Sequence, residues 1–353
     1  MRESLHSASL QETDDCLDAD LIVVNTCTVT HRADHQARQA IHKFNRENPK
    51  ARIVVTGCYA QRDPEALAGI PGVDLVVGNG RREEIARLVA DEGPPAEGKI
   101  VHGSPVPESI YLMAARSQTG GKTRPFVKLQ DGCDARCSYC IVPQVRGPGR
   151  SARPEDVLAD IRRLVDRGFQ EIVLTGVNLG AYGRSPNGST QLTDLLRHIL
   201  AIPLLGRLRL SSVELIYFDR DIVRLAADNP VLAPHFHIPM QSGSERILHA
   251  MHRPSVPAQF VDLLRYVRER LPSAGLGTDI LVGFPGETDE EFEQTCDLVR
   301  NSPLTYLHVF PFSAREGTEA FALPDRVPAP IIKERARILR QISMDANLAF
   351  RRR

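Results

Sequence analysis

Short apolar runs rich in Val, Ile and Leu recur along this chain, separated by stretches of helical periodicity, and that alternation limits the possible folds more than any other feature. Leu21-Ile-Val-Val-Asn, Arg52-Ile-Val-Val-Thr-Gly and Asp74-Leu-Val-Val-Gly-Asn come first. From Pro125 the pattern restarts with Phe126-Val-Lys-Leu, Glu171-Ile-Val-Leu-Thr-Gly, Leu208-Arg-Leu-Ser-Ser, His235-Phe-His-Ile-Pro, Thr278-Asp-Ile-Leu-Val-Gly-Phe and Leu307-His-Val-Phe-Pro. Such runs read as strands buried on both faces. Helix-compatible segments at 33–48, 154–167, 192–202, 257–270 and 289–300 lie between them. Strand, helix, strand spacing predicts an α/β fold with parallel sheets. The second series makes six βα units, two short of an eightfold barrel.

A length of 353 residues accommodates about two domains of roughly 150 residues each. Gly-Pro-Pro, Gly-Ser-Pro and Thr-Gly-Gly-Lys between 92 and 123 mark linker composition, with room for one strand. The division expected is 1–100, a linker at 101–123, a second domain at 124–330 and a basic helix at 331–353. Basic and acidic side chains balance at 44 each, so no global field draws in nucleic acid. Trp is absent and aromatics make up 5%, which argues against a broad stacking platform for single strands. No run approaches the roughly 18 apolar residues of a membrane span.

In βα architectures function gathers on the loops that follow the strands. Polar clusters follow five of the six later runs: Thr175-Gly-Val-Asn178, Ser211-Ser-Val-Glu214, Gln241-Ser-Gly-Ser, Pro285-Gly-Glu287 and Ser313 to Thr318. All five are expected to converge on one mouth. The first run is followed by Asp131-Gly-Cys-Asp-Ala-Arg-Cys-Ser-Tyr-Cys, a C-x3-C-x2-C triplet of Cys133, Cys137 and Cys140. Seven cysteines, three of them within eight residues and none behind an apolar leader, suit a metal loop in a reducing cytoplasm better than a disulfide framework. Thiolates select zinc, copper(I) or iron–sulfur clusters. Structural zinc and ferredoxin clusters take four protein ligands, so a triplet leaves one metal position open.

C-x3-C-x2-C after the first strand of six βα units resembles the radical S-adenosylmethionine superfamily. Asn25-Thr-Cys-Thr-Val-Thr, Val55-Thr-Gly-Cys-Tyr-Ala, Gln130-Asp-Gly-Cys, Arg146-Gly-Pro-Gly-Arg-Ser, Pro239-Met-Gln-Ser-Gly-Ser and Asp279-Ile-Leu-Val-Gly-Phe-Pro-Gly-Glu-Thr are similar, in that order, to the methylthiotransferases of the superfamily. The resemblance implies a (βα)6 partial TIM barrel whose triplet, Cys133, Cys137 and Cys140, binds a [4Fe-4S] cluster, with S-adenosylmethionine chelating the fourth iron. It also implies an N-terminal flavodoxin-like domain with a second, sulfur-carrying [4Fe-4S] cluster, for which Cys27 and Cys58 match two ligands by context. The family's third ligand follows a first strand, and this chain begins with Met-Arg-Glu-Ser-Leu-His. That strand and ligand are therefore expected to be missing, with Cys16 incidental and the second cluster incomplete or labile. The C-terminal TRAM β-barrel, an RNA-binding module, is likewise expected to be absent.

Ala33-Asp, Arg38-Gln and Arg-Gly-Pro-x-Arg-Ser look most like the group acting on N6-threonylcarbamoyladenosine. The resemblance implies methylthiolation of carbon 2 of that base beside the tRNA anticodon: radical hydrogen abstraction, sulfur from the second cluster and methyl from a second cofactor molecule. An electron donor of flavodoxin or ferredoxin type is implied, with no membrane or DNA partner. Other readings are isopentenyladenosine tRNA or a ribosomal-protein aspartate as substrate, and, from another class, a zinc-stabilised RNA-binding protein without catalysis. By position Asn178, Ser211, Glu214 and Gln241 would face the cofactor. Arg146, Arg150, Arg153 and Arg315 could meet phosphates, with solvated surface preferred for Arg153. Glu287 reads as a helix cap, His235 and His237 as core or turn residues, and Cys296 as a buried structural thiol.

Overall fold

A computed structural model describes residues 2–90, 99–106, 124–184 and 190–353. Most of the expected linker, 107–123, lies outside the described residues. The first sheet is formed by β1 (Leu21–Thr26), β2 (Arg52–Gly57), β3 (Val73–Val77) and β4 (Lys99–Val101), side by side in chain order and all parallel. Burial on both faces is why these strands read as continuous apolar runs. Ile53, Val55, Val73 and Val76 pack on one side with Ile41 of the helix His31–Glu47. Val54, Leu75 and Val77 pack on the other with Ile85 and Leu88. Thr30 caps that helix by accepting from Ala33 N at 3.1 Å, and Asn48 ends it before Pro49.

The second series supplies β5 (Phe126–Asp131), β6 (Arg150–Ser151), β7 (Glu171–Gly176), β8 (Arg207–Leu210), β9 (His235–His237), β10 (Gly275–Val282) and β11 (Tyr306–Pro311). All six expected strands are present, and β6 is a short antiparallel addition against the end of β5. One sheet runs β6-β5-β7-β8 and another β11-β10-β9. They meet where Leu208 N donates to Val231 O at 2.7 Å, Ala233 N to Leu208 O at 2.8 Å and Val213 N to His237 O at 3.0 Å. The result is a parallel partial barrel with its helices outside. Helices Pro154–Asp166, Leu192–Leu200, Pro257–Arg270 and Asp289–Arg300 fall where expected. One large core, including Leu129, Ile161, Leu174, Leu196, Leu264 and Ile280, joins the strands to these helices. Cys296 lies within it, fully buried.

The helix Ala329–Arg351 closes the chain and packs Leu339 and Ala336 onto that core. Arg335 reaches inward from this helix, and its Nη1 donates to Glu287 Oε2 at 2.6 Å. Glu287 therefore does not cap the following helix. That cap is Thr288, paired reciprocally with Glu291, while the Glu287 carboxylate accepts from Gly283 N at 2.8 Å and from Arg335. Among the described residues no helix is long and apolar enough to cross a membrane.

Candidate functional site

The loop after β5 turns sharply enough to present three sulfurs in one short stretch. Gly132 adopts a φ of +73°, and a Cβ there would lie 1.9 Å from Pro148 O, so glycine is needed for both conformation and space. Cys133 N donates to Gly147 O at 3.1 Å, Cys140 N to Cys137 O at 3.0 Å, and Ser138 N to Met251 O at 3.1 Å. Gln130, almost fully buried, spans the base of the turn. Its Nε2 donates to Gly132 O at 2.9 Å and its Oε1 accepts from Asn178 N at 2.7 Å. The loops after β5 and β7 are thereby locked to each other.

Cys133, Cys137 and Cys140 line a cavity of about 910 Å³ at the C-terminal ends of the strands. Asn178, Ser211, Glu214 and Gln241 line it as well, with Thr175, Tyr217, Arg253 and Asp279. Three of the five polar clusters thus converge. The other two do not: Pro285-Gly-Glu287 turns away to meet Arg335, and the Ser313–Thr318 segment docks on the first domain. There Arg315, 1% exposed, donates to Asp34 Oδ2 at 2.5 Å and to Thr28 Oγ1 at 2.8 Å. A buried arginine so committed is not available to a phosphate. Arg146 and Arg150 instead surround Asp131, at 3.1 and 3.6 Å, and Arg153 pairs with Asp156 at the surface.

Two buried atoms in the cavity wall, Asn178 Oδ1 and Ser211 Oγ, have no hydrogen-bond partner among the described residues. Buried polar atoms are rarely left so, and these two suit a polar ligand with N–H or O–H groups. Gln241 holds a left-handed φ of 76°, a conformation that costs energy in a non-glycine residue and clusters at functional sites. Glu214 is gripped by Arg253, whose Nη1 lies 3.2 Å from Oε1 and whose Nη2 also bonds it and Pro239 O. Arg253 gives no local sequence signal, because its partners are 14 or more positions away. Burial pushes all three thiols up, Cys140 to about 12. Three half-buried thiolates in one loop therefore need a cation to hold them, and iron would supply that charge.

Cys27 and Cys58 directly follow Thr26 and Gly57, which are register partners at the ends of β1 and β2. Cys27 is exposed and Cys58 is buried. Cys58 packs against Ile141 and Val145, on the segment that follows the triplet. Arg146 Nε donates to its sulfur at 3.2 Å, and Asn79 Nδ2 lies at 3.8 Å while also donating to Val145 O at 2.7 Å. Cys16 sits before β1, in a turn held by Asn48 at the opposite end of the strand.

A model of the radical SAM superfamily matches residues 127–299, and one described as uncharacterized protein family UPF0004 matches residues 1–78. Threonylcarbamoyladenosine tRNA methylthiotransferase MtaB of Aquifex aeolicus is 38% identical over 94% of this chain and 80% of its own length. The enzyme of the same name from Rickettsia prowazekii is 40% identical over 91% of this chain and 75% of its own. The chain belongs to the radical S-adenosylmethionine methylthiotransferases. Members of this family use a [4Fe-4S] cluster and S-adenosylmethionine, which agrees with a triplet of thiols beside unsatisfied polar groups. The methylthiotransferase fold is similar to that of the radical S-adenosylmethionine methyltransferase TsrM of Kitasatospora setae. That match has a TM-score of 0.62 at 17% identity and covers 88% of this chain and 64% of the other.

Proposed function

We propose that this methylthiotransferase acts on tRNA, adding a methylthio group to carbon 2 of N6-threonylcarbamoyladenosine beside the anticodon. The observation that carries this choice is the run of relatives bearing that one specificity, each matching more than nine-tenths of the chain. The enzyme named tRNA-2-methylthio-N(6)-dimethylallyladenosine synthase in Carboxydothermus hydrogenoformans is 35% identical, and supports isopentenyladenosine tRNA as the second reading. An anticodon loop offers unstacked bases that can be splayed into a pocket.

Cys133, Cys137 and Cys140 would hold the first cluster, supplying three of the four ligands it needs. When bound with S-adenosylmethionine, that cluster provides one-electron chemistry strong enough to break an unactivated aromatic C–H bond. Around it the chain positions and excludes. The Arg253 guanidinium keeps Glu214 extended at the cavity wall as an acceptor for an ammonium or ribose hydroxyl. Asn178 Oδ1 and Ser211 Oγ offer two more acceptors. Met251 and Ala250 backbone carbonyls clamp Ser138, so the loop cannot swing away. Cys27 and Cys58 would contribute to a second [4Fe-4S] site for the transferred sulfur, with Arg146 directing an N–H at Cys58. A donor of flavodoxin or ferredoxin type would deliver electrons.

Mass spectrometry of tRNA nucleosides from a strain lacking this gene tests the assignment. Loss of the methylthio derivative, with threonylcarbamoyladenosine accumulating in its place and restored by the gene, is expected. An unchanged signal overturns the choice, and selective loss of methylthio-isopentenyladenosine transfers it to the second reading.

A further inference from the structure

The last strand of the barrel carries an aromatic surface that the cofactor cavity does not use. Among the described residues β11 pairs only with β10 and ends its sheet. Side chains alternate along a strand: Leu307 and Val309 pack into the main core, which places Tyr306, His308 and Phe310 together on the other face. Ring centroids of Tyr306 and His308 are 5.4 Å apart, and those of His308 and Phe310 are 6.4 Å apart. His237 stacks on His308 at 4.8 Å. Yet the His308 side chain is 56% exposed and Phe310 is 46% exposed. The surface is open and stepped, with the Tyr306 and His308 rings inclined at 51° and the His308 and Phe310 rings at 81°. It is continuous with the cavity through Asp279, which lines that cavity and bonds His308.

Hydrogen-bond chemistry fixes this surface in one orientation. Asp279 Oδ1 lies 2.8 Å from His237 Nε2 and 3.2 Å from His308 Nδ1. A carboxylate oxygen only accepts, so both nitrogens carry hydrogen. His237 Nδ1 is then the acceptor for Tyr306 O–H at 3.0 Å, and Tyr306 receives His235 Nε2–H at 3.1 Å. The tautomers are assigned by the network. Gly277 completes it, because a Cβ there would fall 2.0 Å from Tyr306 Cζ, in space the ring occupies. His308 is left with a rigid ring face and a free Nε2 acceptor.

We propose that His308 and Phe310 form the seat of the target base: a purine splayed from single-stranded RNA stacks on the exposed face of Phe310, and its exocyclic N–H donates to Nε2 of His308, whose ring stands nearly perpendicular to that face. The inference rests on the RNA substrate of the preceding reading and names where the reacting base lies. Base–aromatic stacking tolerates any ring with a π face, and the acceptor adds preference for a purine bearing an exocyclic N–H. The scarcity of aromatics in the chain is compatible with this, since one base needs one ring face.

The test uses anaerobically reconstituted full chain with two anticodon stem–loops, one with adenine at the target position to read affinity and one with 2-aminopurine there, whose fluorescence is quenched on stacking. The wild type is expected to bind and quench. His308→Ala and Phe310→Ala are expected to weaken binding about tenfold each, and Phe310→Ala to abolish the quench as well, with affinity for S-adenosylmethionine retained. His308→Phe, which keeps a ring and removes the acceptor, is expected to keep the quench and to lose affinity for the adenine stem–loop as His308→Ala does. Variants that bind and quench like the wild type overturn the proposal. So does loss of one bound metal equivalent in His308→Ala without loss of RNA affinity, since His237, Asp279 and His308 present ligand atoms within 4.8 Å of one another. A wild type that fails to bind the stem–loop overturns the RNA reading itself.

Discussion

Arg146 Nε donates to Cys58 Sγ at 3.2 Å, tying the second cysteine of the first sheet to the segment that follows the cysteine triplet. The same guanidinium bonds Asp131 at 3.1 Å, two residues before Cys133. One side chain therefore couples both cysteine groups. Arg146→Met, which keeps the stem but removes both donors, is expected to cost about 1–3 kcal/mol of stability by denaturant unfolding. Iron bound by a variant lacking the triplet should fall with it, because Cys58 loses its closest donor.

The two domains are also joined through Arg315 and Asp34, 1% and 3% exposed. Asp34 Oδ2 also accepts from Arg62 Nη1 at 3.2 Å, so its charge stays paired and Arg315→Met is expected to cost about 1–3 kcal/mol. Arg315→Met combined with Asp34→Asn should cost less than the sum of the singles. Additive costs would mean that the pair does not couple the domains.

Gly132 and Gly168 both have positive φ, but a Cβ at Gly132 meets Pro148 O whereas at Gly168 nothing lies within 4 Å. Gly168→Ala should cost about 1–2 kcal/mol through backbone strain alone. Gly132→Ala must displace the cysteine loop, and iron retained after gel filtration is the measurement that separates them. Equal retention in the two variants would contradict the clash.

Glu291 links the Gln241-Ser-Gly-Ser loop to the helix Asp289–Arg300. It accepts from Arg246 Nε at 2.6 Å, from Thr288 N at 2.9 Å and from Ser244 Oγ at 3.1 Å. Arg246, against the opposing effect of burial and with help from Thr288 and Ser244, holds the carboxyl down to about 2. A carboxylate lowered on folding contributes stability above its unfolded value of about 4.3, and that contribution is lost as pH falls toward the folded value. The stability gap between wild type and Glu291→Gln should therefore close from about pH 5 to pH 2. A gap that stays constant over that range would show that the charge is not what holds the loop.

The strands of both domains were legible because parallel strands covered on both faces are written as apolar runs, as in Arg52–Gly57 and Glu171–Gly176. The helix Arg220–Asp228 was not read. It is strongly amphipathic, with Ile222, Val223 and Ala226 buried, but it is only nine residues long, and so short a segment is easily passed over although its periodicity is present. Asn178, Ser211, Glu214 and Gln241 could be placed at the cavity because each follows a strand. Arg253 and Asp279 could not, since the first acts through Glu214 across 39 positions and the second sits inside a strand. Glu287 and Arg315 misled for the opposite reason: they occupy strand-end loops, but a long-range partner, Arg335 or Asp34, draws each away. Loop position is local information, and the pairing of buried charges is not.

Iron and labile sulfide per chain, measured after anaerobic reconstitution beside a Cys133→Ala, Cys137→Ala, Cys140→Ala variant, test the cavity triplet most directly. The wild type is expected to carry about four more irons than the variant, as one [4Fe-4S] cluster requires, with the visible absorbance of the cluster lost in proportion. Equal iron in both proteins, with a single zinc displaced by the substitutions, would contradict the assignment.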